Sequence, residues 1–262
     1  MGGVCEAERR PIEVKVSELA NNTCKNCGAS SSGKFCPDCG QRMSIHKVTF
    51  GETFTDLVDT LFSVNAPLFV TLRELIVNPG KLLRNYLGGQ RKKYYKPVAF
   101  FILTTVLYIL IRALIGFDPF RNDAFQVQDG VDGATKFEEA RNYFLLNINN
   151  LLFIFVFTLA VFSKLFYYRR YSLAEFLVIS FYLLGIYTLL STIDIVIIQF
   201  ITDKAQGVRI LVMMIYFIYA MLSFLKRPIF VVVLKSLVVY LLSFVFYFVT
   251  SYLLSYLIVL FK

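Results

Sequence analysis

Hydrophobic positions are spread very unevenly along this chain. Up to about residue 96 they alternate with polar ones, and from Pro97 onward they run on with few breaks. Pro97–Phe117 holds 21 residues. At 1.5 Å per residue such a helix covers about 30 Å, the thickness of a bilayer's hydrocarbon core. Similar runs follow over about 151–168, 173–200 and 210–225, the last of them marginally short. The final run, Ile229–Phe261, is interrupted only by Lys235 and is longer than one crossing needs. It reads as one helix over 236–261, with Ile229–Leu234 at the interface and tilt absorbing the surplus. The expected fold is therefore an all-α polytopic membrane protein with about five transmembrane helices in residues 97–262.

The segment before the spans has a different rhythm. Thr49 and Glu52 are spaced as a capping box, and Phe50, Phe54, Leu57, Val58, Leu61 and Phe62 recur at helical intervals. Pro67 suits the first turn of a second helix, which Asn78-Pro79-Gly80 ends. A third, short helix runs to Gly88-Gly89. Residues 47–96 thus read as amphipathic juxtamembrane helices, either lying in the interface or packing as a small subdomain. Residues 1–22 read as a solvated tail without the apolar core of a signal peptide.

Charge orients the spans. Cation-rich segments at Arg91–Lys96, Lys164–Arg170 and Lys226–Lys235 alternate with cation-poor ones, among them the acidic stretch Asp118–Asn142. The positive-inside rule then puts the N-terminus in the cytoplasm and the C-terminus outside. The chain carries a formal net charge of +9, with 57% hydrophobic and only 17% charged residues. Such a surplus suits nucleic acid or anionic lipid, and its position favours lipid. Six cations and no acid lie between Lys81 and Lys96, directly where the chain enters the membrane. Lys81, Arg84, Arg91, Lys92, Lys93 and Lys96 are the candidate contacts to anionic headgroups, each contributing about 1 kcal/mol near such a surface.

Four of the five cysteines fall at Cys24, Cys27, Cys36 and Cys39. Two Cys-x-x-Cys knuckles, each followed by a glycine that permits a tight turn, suit a tetrahedral ion held by four thiolates. A complete thiolate set leaves no open position, so structural Zn2+ in a ribbon over residues 23–41 is the expectation, with iron and dithiol redox chemistry as competing readings. His46 has no place in a complete set. Lys25, Lys34, Arg42, Lys47 and Phe35 make only a sparse basic patch. That disfavours nucleic acid and leaves a cytoplasmic protein partner or a purely structural role for the ribbon.

Asn78-Pro79-Gly80-Lys81, and then Tyr86, Gly89, Arg91, Tyr94 and Pro97 in a Tyr-x-x-Gly-x-Arg-x-x-Tyr-x-x-Pro arrangement, follow this ribbon. Together they resemble an uncharacterised bacterial membrane family, domain of unknown function three-six-six-seven. The resemblance covers roughly residues 24–100 by motif and the rest by hydropathy alone. It implies a bacterial inner membrane and assigns no activity.

Ionisable groups inside spans are functional candidates. Arg112 and Asp194 fall at similar depth and form a candidate ion pair. Gly185, Thr188, Ser191 and Thr192 line one side of the third span, and Ser236, Ser243, Thr250, Ser251 and Ser255 mark the last. Close helix packing accounts for such stripes. One histidine, no nucleophile motif and no paired carboxylates in a span point away from an enzyme. The leading expectation is a membrane-anchored interaction or scaffold protein. The alternative is a small-solute transporter or channel using the third-span stripe. Substrate, partner and oligomeric state are not written in the sequence.

Overall fold

The computed structural model describes residues 22–43, 67–117, 135–148, 151–167, 171–200 and 208–261. They divide into two compact units, one within Met1–Ile45 and the other within His46–Lys262. The capping box at Thr49, the stripe from Phe50 to Phe62, His46 and most of the acidic stretch lie outside the described residues.

The first unit is a small ribbon. Strands β1 (Asn22–Thr23) and β2 (Ser30–Ser31) pair antiparallel, and Phe35 bridges to Arg42 in a second short ladder. So little chain has almost no apolar core, so its cysteines dominate what is buried.

The second unit is entirely helical among the described residues: α1 (Pro67–Val77), α2 (Pro79–Leu87), α3 (Pro97–Ile115), α4 (Thr135–Asn147), α5 (Leu152–Phe166), α6 (Leu173–Phe200), α7 (Val208–Leu225) and α8 (Ile229–Leu260). Pro79 and Pro97 open their helices, where a missing N–H costs nothing. A capping box starts α6: Ser172 N–H donates to Glu175 Oε2 at 2.6 Å, and Glu175 N–H to Ser172 Oγ at 3.2 Å. Gly116, left-handed at φ 61°, ends α3.

This is an all-α polytopic membrane protein. Three helices are long and apolar enough to cross a bilayer: α3, α6 and α8. A fourth crossing is available only if Lys136–Asn147 and Leu152–Phe166, which meet at 82°, act as one broken span. The apolar part of α7, Ile210–Leu225, falls short of the length test. Among the described residues the structure therefore offers three crossings, or four with the broken pair, where the sequence led to an expectation of about five.

α6 is the axis of the unit, buried on almost every side from Ala174 to Thr188. α3 packs along it. Contacts step forward together on the two helices: Tyr182 donates to the Tyr95 carbonyl at 2.5 Å, Gly185 faces Phe100, and Thr188 Oγ1 donates to Thr104 Oγ1 at 2.7 Å. The helices are therefore parallel, and the chain must return between them. The return runs from Leu146, whose carbonyl accepts from Arg112 near the end of α3, to Tyr167, whose hydroxyl lies 3.1 Å from Ser236 Oγ near the start of α8. Some 20 residues separate these points, enough for a broken crossing of about 30 Å.

The last helix departs from the sequence expectation. It starts at Ile229, just after Pro228, and passes through Lys235 without a break. The Lys235 ammonium lies 5.8 Å from the Tyr167 ring centroid, so the helix surface accommodates the cation. Ser236, Ser243, Ser251 and Ser255 are fully buried, whereas Thr250 bonds only to its own helix's carbonyls. Thr158 Oγ1 reaches the Ser243 carbonyl at 3.4 Å. The serine stripe is a packing seam, met by α5 at Ser243 and by Tyr167 just beyond its end at Ser236.

Candidate metal centre and juxtamembrane joint

Each half of the ribbon repeats one backbone pattern. Cys24 N–H donates to Ala29 O at 2.7 Å and Gly28 N–H to Cys24 O at 2.8 Å. Cys36 N–H donates to Gln41 O at 2.7 Å and Gly40 N–H to Cys36 O at 2.8 Å. Gly28 and Gly40 have φ of 83° and 67°, a conformation that costs glycine nothing. The two knuckles turn their thiols toward one point. Cys24 and Cys39 sulfurs are 3.6 Å apart, Cys27 and Cys36 sulfurs 3.5 Å, and all four lie within 4.8 Å of one another. Sulfurs at ~2.3 Å from a tetrahedral centre stand about 3.8 Å apart, so these four could hold a metal ion.

Electrostatics favour the same reading. The Cys27 backbone N–H donates to the Cys24 sulfur and, against the cost of burial, brings that thiol down to about 7. Cys27 is pushed up to about 12. The Ala29 N–H lowers it, but desolvation and the thiols of Cys36, Cys39 and Cys24 outweigh that bond. The Cys24 thiolate forms readily and crowding resists that of Cys27. A cation at the centre removes the resistance.

The second feature is a joint built from α1, α2 and the end of α7. Asn78 caps α2: its Oδ1 accepts from Lys81 N–H at 3.1 Å and from Ser223 Oγ at 2.9 Å. Gly80 N–H donates to Ser223 Oγ at 3.2 Å. A Cβ on Gly80 would lie 2.2 Å from the Ser223 carbonyl carbon and oxygen, so only glycine fits. Arg84 Nη1 donates to the Ser223 carbonyl and, at 3.2 Å, to that of Phe224. Helix ends leave their last carbonyls without intrahelical partners and carry partial negative charge. Arg84 satisfies both needs at the end of α7.

A polar knot lies beside the joint. Tyr94 donates to Glu74 Oε2 at 2.6 Å and accepts from Asn85 Nδ2 at 3.0 Å. Lys81 and Lys93 ammonium groups lie 3.7 and 3.4 Å from Glu74 Oε1. Burial and the Glu74 bond raise the Tyr94 phenol above its usual range, so it stays a donor. Tyr95 N–H donates to Thr71 Oγ1 at 2.8 Å, and the Tyr86 ring meets that of Tyr182 edge-on at 5.5 Å.

Residues 66–109 match the family model described as "Protein of unknown function (DUF3667)". The matched stretch is α1, α2, their basic loop and most of α3. No curated protein and no solved structure matches the chain. The structure gives the shared motif a role in packing: Gly80 for close approach, Tyr86 and Tyr94 for buried rings and hydrogen bonds, and Pro97 for a helix start.

Of the candidate headgroup contacts, Arg84 is engaged by α7, and Lys81 and Lys93 share Glu74. Lys92 is exposed, with Arg91 and Lys96 half-buried. Arg112 Nη1 donates to the Leu146 carbonyl at 2.7 Å, and half-buried Asp194 lies further along the parallel helix α6. Sequence reasoning passed over Glu74, Asn85 and Ser223. Glu74 left a trace, as the sole acid between Thr60 and Phe117.

Proposed function

We propose that this protein is a membrane-anchored interaction protein, with a zinc-folded ribbon on the cytoplasmic side of a bacterial inner membrane. The observation that carries the reading is the convergence of four thiols in a unit compact in itself. Four thiolates suit Zn2+, and a site closed by protein ligands serves folding and not catalysis. The ribbon then offers its surface: Phe35 is 61% exposed beside Lys34 and near Arg42 in the paired strand. An exposed ring among cations suits an acidic protein partner with an apolar anchor.

The orientation in this reading is the one the positive-inside rule gives for the basic segments. The basic run from Lys81 to Lys96 is the stretch this reading sets toward anionic headgroups. Arg112 and Asp194 are the ion pair this reading expects near the other end of α3. The third-span stripe supports an anchor over a solute path. Gly185 is closed against Phe100, and Thr188 and Thr192 bond to Thr104 and to carbonyls of their own helix.

The test is crosslinking in intact membranes, comparing the wild-type chain with Phe35→Ala and with Cys24→Ser/Cys36→Ser. The reading expects one set of protein crosslinks that weakens in the first variant and disappears in the second. Crosslinks insensitive to both variants would refute ribbon-mediated docking.

A further inference from the structure

Helix α1 has the wrong outer face for water. Its inner side carries Leu68, Thr71, Leu72 and Leu75, of which Thr71 and Leu75 are fully buried. Its outer side presents Phe69 at 80% exposure, Ile76 at 64% and Val77 at 67%, with Val70 and Arg73 between them. A helix on an aqueous surface shows charged and polar residues there.

Its position is as informative. Asn78 sits at Ser223, near the end of α7, but the preceding turn lies beside the body of that helix. Tyr219 donates to the Val77 carbonyl at 2.6 Å and Tyr216 to the Leu75 carbonyl at 3.1 Å. Tyr216 is nine residues, about 13 Å, from the last residue of α7. α2 then turns back, placing Tyr86 against Tyr182, the tenth residue of α6. The neighbouring face of α7 is itself apolar and open, with Leu211, Ile215 and Tyr219 exposed.

The end of α1 also satisfies its polar groups internally. Glu74 O accepts from Asn78 N–H at 2.8 Å, and the Leu75 and Val77 carbonyls accept from the two tyrosines. A helix end in water leaves such carbonyls to the solvent, whereas one in lipid needs donors from the protein.

We propose that α1 and α2 form a hairpin embedded in the leaflet at the cation-bearing end, with Phe69, Ile76 and Val77 against lipid acyl chains. The tip is Asn78-Pro79-Gly80, held at the end of α7. The occupant of the exposed face is the bilayer because that face continues the open apolar face of α7. Lys81 lies just beyond it, and Arg73, within it, is long enough to carry its guanidinium to the headgroups. This goes beyond the anchor reading, which needs no helix pair embedded in a single leaflet.

The chain contains no tryptophan, so single reporters are clean. Phe69→Trp and Ile76→Trp would be reconstituted into phosphatidylcholine–phosphatidylglycerol vesicles, with and without bromine on the acyl chains. Leu110→Trp, on the open face of α3, marks lipid contact, and Lys34→Trp, on the ribbon, marks water. The hairpin predicts that both α1 reporters lose emission in brominated lipid as strongly as Leu110→Trp and resist iodide. Iodide quenching matching that of Lys34→Trp would place α1 in water. Shielding from both quenchers would mean that protein covers it. Either result overturns the proposal.

Discussion

Replacing Gly80 with alanine tests the joint most sharply. The added Cβ would meet backbone atoms: Ser223 C and O at 2.2 Å and Phe224 N at 2.5 Å. Backbone cannot rotate aside as a side chain can, so α2 and α7 must part. Overpacking of this kind costs about 1–3 kcal/mol. Parting also weakens the bonds from Gly80 N–H and Arg84 to α7, worth about 1–3 kcal/mol together. Alanine's better helix propensity returns about 1 kcal/mol. The net loss is therefore about 1–5 kcal/mol, with a mid-range near 3. Gly116→Ala is the comparison, because nothing lies within 4 Å of its Cβ and only the left-handed φ of 61° is strained. That strain costs about 1–2 kcal/mol. Unfolding in mixed micelles by added dodecyl sulfate measures both. Gly80→Ala should be the weaker protein. If it unfolds at the same detergent fraction as Gly116→Ala or later, the joint is not close-packed in the way described.

Three further outcomes follow from the same contacts. Arg84→Ala should cost about 1.5–3 kcal/mol in that assay, since it bares two carbonyls at a helix end; Arg84→Lys should recover only part of this. Tyr94→Phe should cost about 1–2 kcal/mol by leaving Glu74 and Asn85 without their shared partner, and a loss near zero would mean the knot is solvated. If Arg112 and Asp194 pair, a double-mutant cycle with alanine at both positions should give a coupling energy of at least about 0.5 kcal/mol, and additive losses would deny the pair.

The fold class was legible because span length and ribbon spacing are local signals. Long apolar runs report α3, α6 and α8 directly, and two Cys-x-x-Cys-Gly repeats report the thiol cluster. What the sequence hid was long-range. Lys235 reads as an interruption until Tyr167, 68 residues away, is placed beneath it. Arg84 reads as one of six equivalent cations until the end of α7 is brought to it. Asn78-Pro79-Gly80 reads as a helix stop, which it is. Its second role, receiving Ser223, depends on a residue 145 positions away from Asn78. The broken pair α4–α5 escaped because hydropathy registers apolar length and not bends.

The account rests most heavily on the ribbon as a metal-folded module, and metal stoichiometry tests it directly. Purified from membranes without chelator or added metal, the wild-type chain should carry one zinc per polypeptide. Cys24→Ser/Cys36→Ser should carry none while its helical unit unfolds at the wild-type detergent fraction. Because the thiols must lose their protons to bind, the zinc affinity should fall as pH is lowered. A metal-free wild-type protein with four free thiols, or one with Cys24–Cys39 and Cys27–Cys36 joined as disulfides, would contradict the account.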